Sequence, residues 1–386
     1  MSHHSRLDAR HVRLNHVNVV ISNVQVSKVT DNVRLLKRPA INASEAPISR
    51  AIAYGVNAPN PHNTQAWKFK NISDTEMLLQ VDEHRLLPMT DPPARQIHIG
   101  CGCFIETLAI GATGMGYETS VEYLPDGSYS LEEIGRKPVA RITLDKREGL
   151  QKDEFYDYIF ERQTNRKNYR GPPLSDMEVG SLRKSFSNDG SVEFLSATNP
   201  KEMRPLFDIF YKAMEIECIT RRLYEETRIW FRFSEKERAK KRDGLSVPQM
   251  GIVGLKKSFM EWYLNNGNPS RWFSKTSINR YLGAVKQGID SSQGIVFLKT
   301  ATNNQIDWVK TGRVYARICL AATKHGLSMQ PQSQVLQEYP EMRELQEEFN
   351  RLLGVKGDEK VQMAARIGRG ERAYYPYRRS LPSFSE

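Results

Sequence analysis

The chain has 386 residues, with 56 Lys and Arg against 45 Asp and Glu, so its formal net charge is +11. Hydrophobic residues make up 39% of the sequence, which is enough to bury a core and excludes a wholly disordered chain. No apolar run approaches the roughly 18 residues that a bilayer-spanning helix needs. The length corresponds to two domains or to one large domain.

The positive charge does not by itself indicate a nucleic-acid partner. Many of the basic residues lie between Arg221 and Lys241, where glutamates are interleaved with them. Mixed charges on a helix are typical of a solvated face with local ion pairs. We therefore expect a protein that binds neither nucleic acid nor a membrane.

The four cysteines, Cys101, Cys103, Cys218 and Cys319, are too few for a disulfide framework. They show neither a CxxC pattern nor the paired His spacing of a zinc site, so we expect no metal centre. The polar first 30 residues lack the continuous apolar stretch of a secretory signal. These features predict reduced thiols and a cytoplasmic location.

The first half of the chain predicts a small α+β unit. Residues 1–40 show little periodicity and are interpreted as an N-terminal extension. A helix is predicted over residues 47–56 and should stop before the following prolines, because proline cannot continue a helix. A helix over 96–116 is apolar nearly all round and rich in glycine and alanine, which predicts burial. Short strands are predicted at residues 67–72, 76–81 and 139–144.

The second half predicts similar elements, separated by a long helical region. Residues 200–290 are helical, charged and aromatic, and we interpret them as an insertion or lid. The glycine, asparagine and proline cluster at 265–269 should break two helices there. The other predicted elements are helical stretches at 153–160 and 175–186, strands at 295–298 and 361–367, and a helix at 309–324.

A weak internal repeat links the two halves. With an offset of 210 residues, Gly102 aligns with Gly312, and both surrounding segments are apolar helices that end at glycine. The helices after Pro47 and Pro173 align with an offset of 126 residues. The difference between the offsets of 210 and 126 residues is close to the length of the lid region. The sequence therefore predicts two copies of one unit, at 41–150 and 151–386. We expect the two glycine-rich helices to pack together, with Gly111 at their contact.

The strongest local motif runs from Ala58 to Trp67, with the sequence APNPHNTQAW. It is dense in side-chain amides, which can pair with the polar edge of a heteroaromatic ring. An ordinary turn capped by asparagine is an equally good interpretation from the chemistry alone.

A second motif places two arginines around a hydroxyl, in Arg162, Thr164 and Arg166. In an extended segment these side chains share one face, and together they suit a phosphate group. A solvated basic turn is the alternative. Arg378 and Arg379, near the C-terminal end, form another candidate phosphate clamp.

The third motif is weaker and consists of residues 326–334, which follow the second repeat helix. Its loop, with Pro331 between glutamines, could offer backbone N–H groups to a ligand. The sequence contains no strand–GxGxxG–helix fingerprint, Walker A loop, GxSxG elbow or HExxH motif. The chemistry of the most familiar nucleotide and hydrolase motifs is therefore not indicated.

Taken together, the motifs resemble the FMN-dependent nitroreductase superfamily. Residues 58–69 resemble its flavin-binding turn, and residues 86–102 and 307–333 resemble its two-repeat branch, which includes the mycobacterial Acg protein. Residues 231–245 and 362–370 are similar to the lid segment and last strand of that branch. The resemblance implies an α+β nitroreductase-like fold of two tandem pseudo-repeats that form an internal dimer, with a helical lid in the second.

The resemblance also implies a cofactor and the residues that hold it. The cofactor is FMN, with NADH or NADPH as a candidate reductant, and one site should be complete within one chain, with further dimerisation left open. There are departures: Ala66 replaces a usual proline, and the loop at 331–333 lacks the family's Glu-Gly pair. The implied flavin contacts are Pro59, Asn60, His62, Asn63, Gln65, Arg162, Thr164, Arg166, Pro331, Gln332, Ser333, Arg378 and Arg379.

The implied activity is hydride transfer through flavin N5 to or from a small organic substrate. No side-chain general base is required, which agrees with the lack of an obvious catalytic histidine or glutamate. Two alternatives remain open at this point. The protein could store or sequester flavin without turnover, or it could be a specialised flavin-dependent oxidase or dehydrogenase of a biosynthetic pathway.

Overall fold

The computed structural model describes residues 45–187, 189–265 and 268–384. The N-terminal extension predicted at 1–40 lies outside these residues. The first part of the described chain forms an antiparallel sheet with the strand order β1-β2-β4-β3. Its elements are α1 (Pro47–Gly55), β1 (Trp67–Ser73), β2 (Glu76–Val81), α2 (Arg95–Thr113), β3 (Tyr117–Tyr123) and β4 (Ala140–Lys146).

The remainder forms a second antiparallel sheet, with the order β5-β8-β10-β9. Its strands are β5 (Glu193–Ala197), β8 (Gly294–Thr300), β9 (Ser328–Pro331) and β10 (Lys360–Gly368). The helices that accompany this sheet are α3 (Asp176–Arg183), α9 (Gln305–Lys324) and α10 (Arg343–Leu352). Helix α4 (Pro200–Ile219) follows β5 and is the first element of the long helical region.

That region, between α4 and β8, consists mainly of short helices around an aromatic cluster. Trp272 is 8% exposed and lies 5.0 Å, centroid to centroid, from both Tyr224 and Phe231. The cluster is separate from the main core and packs the region on itself. The elements are α5 (Arg221–Ile229), β6 (Phe231–Arg232), α6 (Glu235–Lys241), β7 (Leu245–Ser246), α7 (Gly254–Asn265) and α8 (Lys275–Asp290).

Helices α2 and α9 pack against each other at the centre of the molecule, each also contacting its own sheet. Gly102 and Gly312 lie at the crossing, and a methyl group added to Gly102 would come within 1.9 Å of the Val309 carbonyl oxygen. The expected contact of these helices is therefore present. The expectation for Gly111 was wrong, because this glycine faces the ring of Tyr54 on α1.

A buried ion-pair network adds polar contacts to the same helix pair. Glu106 of α2 is 5% exposed and accepts hydrogen bonds from Arg313 at 2.7 Å and Arg317 at 2.9 Å, both on α9. Arg317 also pairs with Asp153 at 3.0 Å. Because the carboxylate is buried and both its oxygens are satisfied by guanidinium groups, the network specifies how the helices meet.

Most of the elements predicted from the sequence are confirmed, with identifiable exceptions. The expected helix at 153–160 is only a single turn, Tyr156–Tyr158. Asp153 accepts a hydrogen bond from the Phe155 backbone N–H, and such a local turn competes with a helix. The strands β3, β5 and β9 were missed, and β9 occupies part of the predicted loop at 326–334. Within the described ranges, no helix is long and apolar enough to cross a bilayer.

Candidate functional site

The amide-rich turn after α1 has an unusual backbone. His62, Asn63 and Gln65 have φ values of 48°, 54° and 52°, in the left-handed region that residues other than glycine rarely adopt. The side chain of Asn60 accepts a hydrogen bond from the Gln65 N–H at 2.9 Å, which helps to hold the turn closed. Backbone strain of this kind persists where the surroundings over-determine it, and it is frequent at functional sites.

Two side chains of this turn join distant segments. The Asn63 amide donates hydrogen bonds to the backbone carbonyls of Gly244 and Tyr377, each at 3.2 Å. The Gln65 amide donates to the carbonyl of Arg242 at 2.9 Å, and its oxygen accepts the Arg379 N–H at 2.8 Å. These amides therefore hold the region after α6 and the C-terminal segment against the turn.

Two arginines that are far apart in the sequence meet beneath the turn. Arg162 is 6% exposed and Arg378 is 9% exposed, and each donates to the Asn57 carbonyl at 3.4 Å. Arg378 also donates to the Ala58 carbonyl at 3.2 Å and to the side-chain oxygen of Asn63. Neither guanidinium forms an ion pair with a carboxylate in the described parts of the chain. Burial and the charge of Arg162 together lower the pKa of Arg378 to about 9.

Unsatisfied polar atoms surround this pair. The Nε atom of Arg378 and the hydroxyl of Tyr375 are both buried without a hydrogen-bond partner in residues 45–187, 189–265 and 268–384. Burial raises the pKa of Tyr375, and the neighbouring charges of Arg162 and Arg378 oppose that shift. Two buried cations and an unpaired hydroxyl make a site whose electrostatics an anion would balance. Sequence analysis missed Tyr375, and its only signal was the aromatic, basic character of the tail.

The residues from 162 to 166 are aligned beside β9. Thr164 forms a parallel bridge with Met329, and the Asn165 N–H donates to the Met329 carbonyl at 3.0 Å. This pairing brings Thr164 and Arg166 to a polar cavity of about 150 Å³. The other predicted residues that line this cavity are Pro59, Asn60, His62, Pro331 and Ser333.

Arg166 is the cation of this cavity. It lacks an ion pair or a side-chain hydrogen bond with the residues described, and burial lowers its pKa. Burial, assisted by the positive charge of Arg166, lowers the pKa of His62 to about 4. His62 is therefore neutral near pH 7, and Arg166 supplies the positive charge.

A second cavity, of about 200 Å³, continues from the first under the helical region. The two share several lining residues, among them Arg166, Glu217 and Tyr281. The predicted residue Gln332 lines this second cavity, and its backbone N–H donates to the Ala364 carbonyl at 2.8 Å. The remaining wall is mostly apolar and aromatic, with Met214, Tyr224, Phe231, Met260, Tyr263, Leu264 and Trp272.

Arg379 lies apart from its neighbour Arg378. Its guanidinium donates to the Gln65 carbonyl at 3.0 Å, lies 3.5 Å from Asp82, and sits 4.3 Å from the centre of the Phe384 ring. It also donates to the Ser383 carbonyl. The structure thus brings Arg378 to Arg162 but takes Arg379 to the opposite side, where it fastens the C-terminal residues to the first sheet.

Glu217 is a further candidate that sequence analysis missed. It lies near the end of α4, is 4% exposed and lines both cavities. Burial raises its pKa to about 7, against the opposing effect of the neighbouring polar side chains of Gln334, Thr227 and Gln337. In the sequence it is one of many glutamates in a charged helical region, so nothing local marked it.

No cluster of three or more potential metal ligands occurs among the described residues.

Comparison with known proteins identifies the family of the chain. The model of the Nitroreductase family matches residues 159–369, which is more than half of the sequence. The chain therefore belongs to the nitroreductase family. The matched region extends from the segment of Arg162 to the end of β10 and includes the helical region between α4 and β8.

Two similar proteins come from Mycobacterium tuberculosis. The chain is 26% identical over 178 residues to "Putative NAD(P)H nitroreductase acg", with 43% of this chain and 52% of the relative covered. It is also 26% identical over 147 residues to the uncharacterized protein Rv3127, with 37% and 41% covered. The chain thus spans about half the length of the curated relatives that it matches.

Solved structures with partial similarity were also found. One is oxidized iodotyrosine deiodinase bound to FMN and 3-iodo-L-tyrosine, with a TM-score of 0.35, 14% identity, and 58% of this chain and 95% of that chain covered. Another is the FMN-dependent nitroreductase NfnB from Mycobacterium smegmatis in complex with NADPH, with a TM-score of 0.34, 15% identity, and 55% and 86% covered.

Proposed function

We propose that this protein is an FMN-dependent oxidoreductase that transfers hydride between a nicotinamide nucleotide and a small organic substrate. Membership of the nitroreductase family supports the oxidoreductase class. The cofactor assignment rests on Arg162 and Arg378, which are buried together without a carboxylate partner among the described residues. When bound, FMN supplies the hydride chemistry, while the protein supplies position and electrostatics.

The residues present fit a phosphate at the arginine pair. Arg162 and Arg378 are buried side by side, and Arg378 Nε and the Tyr375 hydroxyl have unused hydrogen-bonding capacity. Two guanidinium groups and a hydroxyl are well suited to phosphate oxygens. A phosphate would therefore offset the mutual repulsion of the arginines and provide a hydrogen-bond partner for Arg378 Nε and the Tyr375 hydroxyl.

The polar cavity fits the ring system of the same cofactor. Arg166 at its wall has no ion-pair partner among the described residues, so it would neutralise negative charge at an electronegative ring edge. Thr164, Asn60 and Ser333 add polar groups, and Pro59 and Pro331 add rigid apolar surface. No protein acid or base has to act on the hydride itself.

The arrangement supports a site that is complete within one chain. The turn at 59–65, the segment at 162–166 and Arg378 all meet in a single chain. We propose that the chain consists of two tandem nitroreductase-like units, at 41–150 and 151–386, paired as an internal dimer through α2 and α9. Dimerisation of whole chains would then be unnecessary for binding FMN.

We further propose that residues 200–290 act as a lid. Their aromatic cluster packs largely on itself, and Asn63 and Gln65 connect the region after α6 to the turn. The apolar cavity beneath this region adjoins the polar one, which provides room for a substrate next to the cofactor. That room favours turnover over flavin storage, since a storage protein would not need it.

The test compares FMN with riboflavin, which lacks the phosphate. We expect Arg378→Met to weaken FMN binding about ten- to hundredfold, the range for a lost charge-assisted bond, and to leave riboflavin binding nearly unchanged. Arg351→Met, at an exposed position of α10, serves as the matched control. Dissociation constants would be measured by flavin fluorescence during titration of the apoprotein.

Two further results bear on the activity. Stopped-flow mixing of the FMN-loaded protein with NADH or NADPH should bleach the flavin absorbance in a single turnover. Failure of the apoprotein to bind FMN would overturn the proposal. Equal losses of affinity for FMN and riboflavin in Arg378→Met would show that the phosphate does not bind at this arginine. Bound FMN that neither nucleotide reduces would favour the storage alternative.

A further inference from the structure

The carboxylate of Glu217 is placed at the junction of the polar and the apolar cavities. One oxygen, Oε1, accepts a hydrogen bond from the Thr227 hydroxyl at 3.2 Å. The other, Oε2, is buried and has no partner within hydrogen-bonding geometry among the described residues, although the side chains of Gln334 and Gln337 lie near the carboxylate. No Lys or Arg among the described residues pairs with Glu217, although the side chain is only 4% exposed. The carboxylate thus has the capacity to accept a donor from a ligand.

The wall that faces this carboxylate is aromatic. Tyr224 and Trp272 are stacked with ring centroids 5.0 Å apart, and Phe231 lies 5.0 Å from the same indole. All three line the apolar cavity together with Glu217. Aromatic faces attract cations as well as flat apolar rings, so a carboxylate beside them is suited to an aromatic molecule that carries a positive charge.

Glu217 is the carboxylate that lines the apolar cavity and can accept a hydrogen bond from a ligand. Glu226 on α5 is already engaged by the backbone N–H groups of Met89 and Thr90. His62, 3.5 Å from the Thr227 hydroxyl, is neutral near pH 7 because burial lowers its pKa. The titratable or charged groups that face Glu217 from the surrounding elements are His62, Arg166, Cys218, Tyr224, Glu226, Tyr281 and Tyr339. Tyr263 and Arg280 also line the apolar cavity.

We infer that the cavity beneath the lid selects arylalkylamines in their cationic form, with the ammonium group at Glu217 and the ring against Trp272 and its neighbours. This inference rests on the proposed function, in which the polar cavity is filled by the cofactor and the apolar one receives the substrate. Arg166 would then face the electronegative edge of the cofactor and not the ammonium group. The substrate class is therefore an aromatic compound with a basic nitrogen.

The affinity of the cavity for an ammonium group also depends on the protonation state of Glu217. Burial holds its pKa at about 7, so the carboxylate is increasingly charged as the pH rises through neutrality. An alkylammonium group, like that of lysine, stays protonated over the same range. Amine binding should therefore strengthen from about pH 6 to pH 8, whereas binding of a neutral isostere should not.

Three probes of similar shape and different charge test the inference: 1-naphthylmethylamine, 1-naphthylmethanol and 1-naphthoate. Binding to the FMN-loaded protein would be measured by isothermal titration calorimetry. At pH 8 we expect the amine to bind about ten- to hundredfold more tightly than the alcohol, and the acid to bind weakest. Glu217→Gln, which keeps the shape of the side chain, should bring the amine and the alcohol to similar affinities and remove the pH dependence.

Glu215→Gln is the matched control, since Glu215 is on the same helix but exposed, and it should keep the preference for the amine. Glu217→Asp keeps the charge and should retain part of the preference. Equal binding of amine and alcohol to the wild-type protein would overturn the inference, as would an amine preference that survives Glu217→Gln. The proposed function is judged separately, by FMN titration and by reduction with NADH or NADPH.

Discussion

Gly102 of α2 and Gly312 of α9 lie directly against each other where the two central helices cross. A methyl group on Gly312 would come within 2.0 Å of the Ile99 carbonyl oxygen and 2.9 Å of the Gly102 Cα atom. The neighbouring atoms are backbone, so they cannot move aside as a flexible side chain could. The close approach of the helices therefore depends on the absence of a side chain at both positions.

We predict that Gly102→Ala destabilises the protein by about 1–3 kcal/mol or more, because overpacking must push the helices apart. The free energy of unfolding would be measured by urea denaturation. Gly283→Ala is the control, because a methyl group there meets no atom within 4 Å and alanine favours helix. An unchanged stability in Gly102→Ala would contradict the observed packing.

The ion-pair network between the same helices gives a second prediction. Glu106→Gln removes the charge that balances Arg313 and Arg317, so we expect a loss of about 3–5 kcal/mol, as for other broken buried pairs. Glu118→Gln breaks an exposed pair with Arg147 and should cost less than about 1 kcal/mol. Thermal and urea unfolding of the two variants would show whether the difference holds. A similar loss in both would mean that the burial of Glu106 has no energetic effect.

Trp272 is the residue through which the proposed lid can be loosened. Trp272→Ala should cost about 3–5 kcal/mol of packing within the aromatic cluster, and it should speed release of FMN from the loaded protein. Trp262→Ala, at a side chain that is 58% exposed, should leave the release rate close to that of the wild type. Release would be followed by flavin fluorescence after dilution into excess apoflavodoxin or a similar flavin trap. Equal rates for both variants would argue against a lid.

The raised pKa of Glu217 predicts a pH-dependent stability. The folded state holds this proton up to about pH 7, whereas the unfolded chain releases it near its usual pKa of about 4.3. Stability associated with Glu217 is therefore present at low pH and is lost as the pH rises through that window. Relative to Glu217→Gln, the wild-type protein should lose about 2–3 kcal/mol between pH 5 and pH 8. A difference that does not change with pH would mean that Glu217 is ionised throughout.

Local sequence patterns determined much of the fold. The prolines and the amide-rich turn predicted where α1 ends and β1 begins, and the glycine-rich helices predicted the α2–α9 contact, including the alignment of Gly102 with Gly312. The turn depends on residues close in sequence, whose backbone preferences act locally, whereas the helix contact was predicted from the internal repeat and its small residues. Short edge strands such as β3 and β5 were missed because their formation depends mainly on pairing with distant strands.

The site depended on tertiary structure to a greater degree. Arg378 and Arg379 are adjacent and chemically equivalent in the sequence, yet the folded chain brings one to Arg162 and the other to Asp82. Glu217 is one of many glutamates in a charged region, and only the packing of α4 against the cavity buries it. The candidate binding residues could therefore be proposed from the sequence alone. Their burial, which determines their charge state and their partners, depends on the tertiary structure.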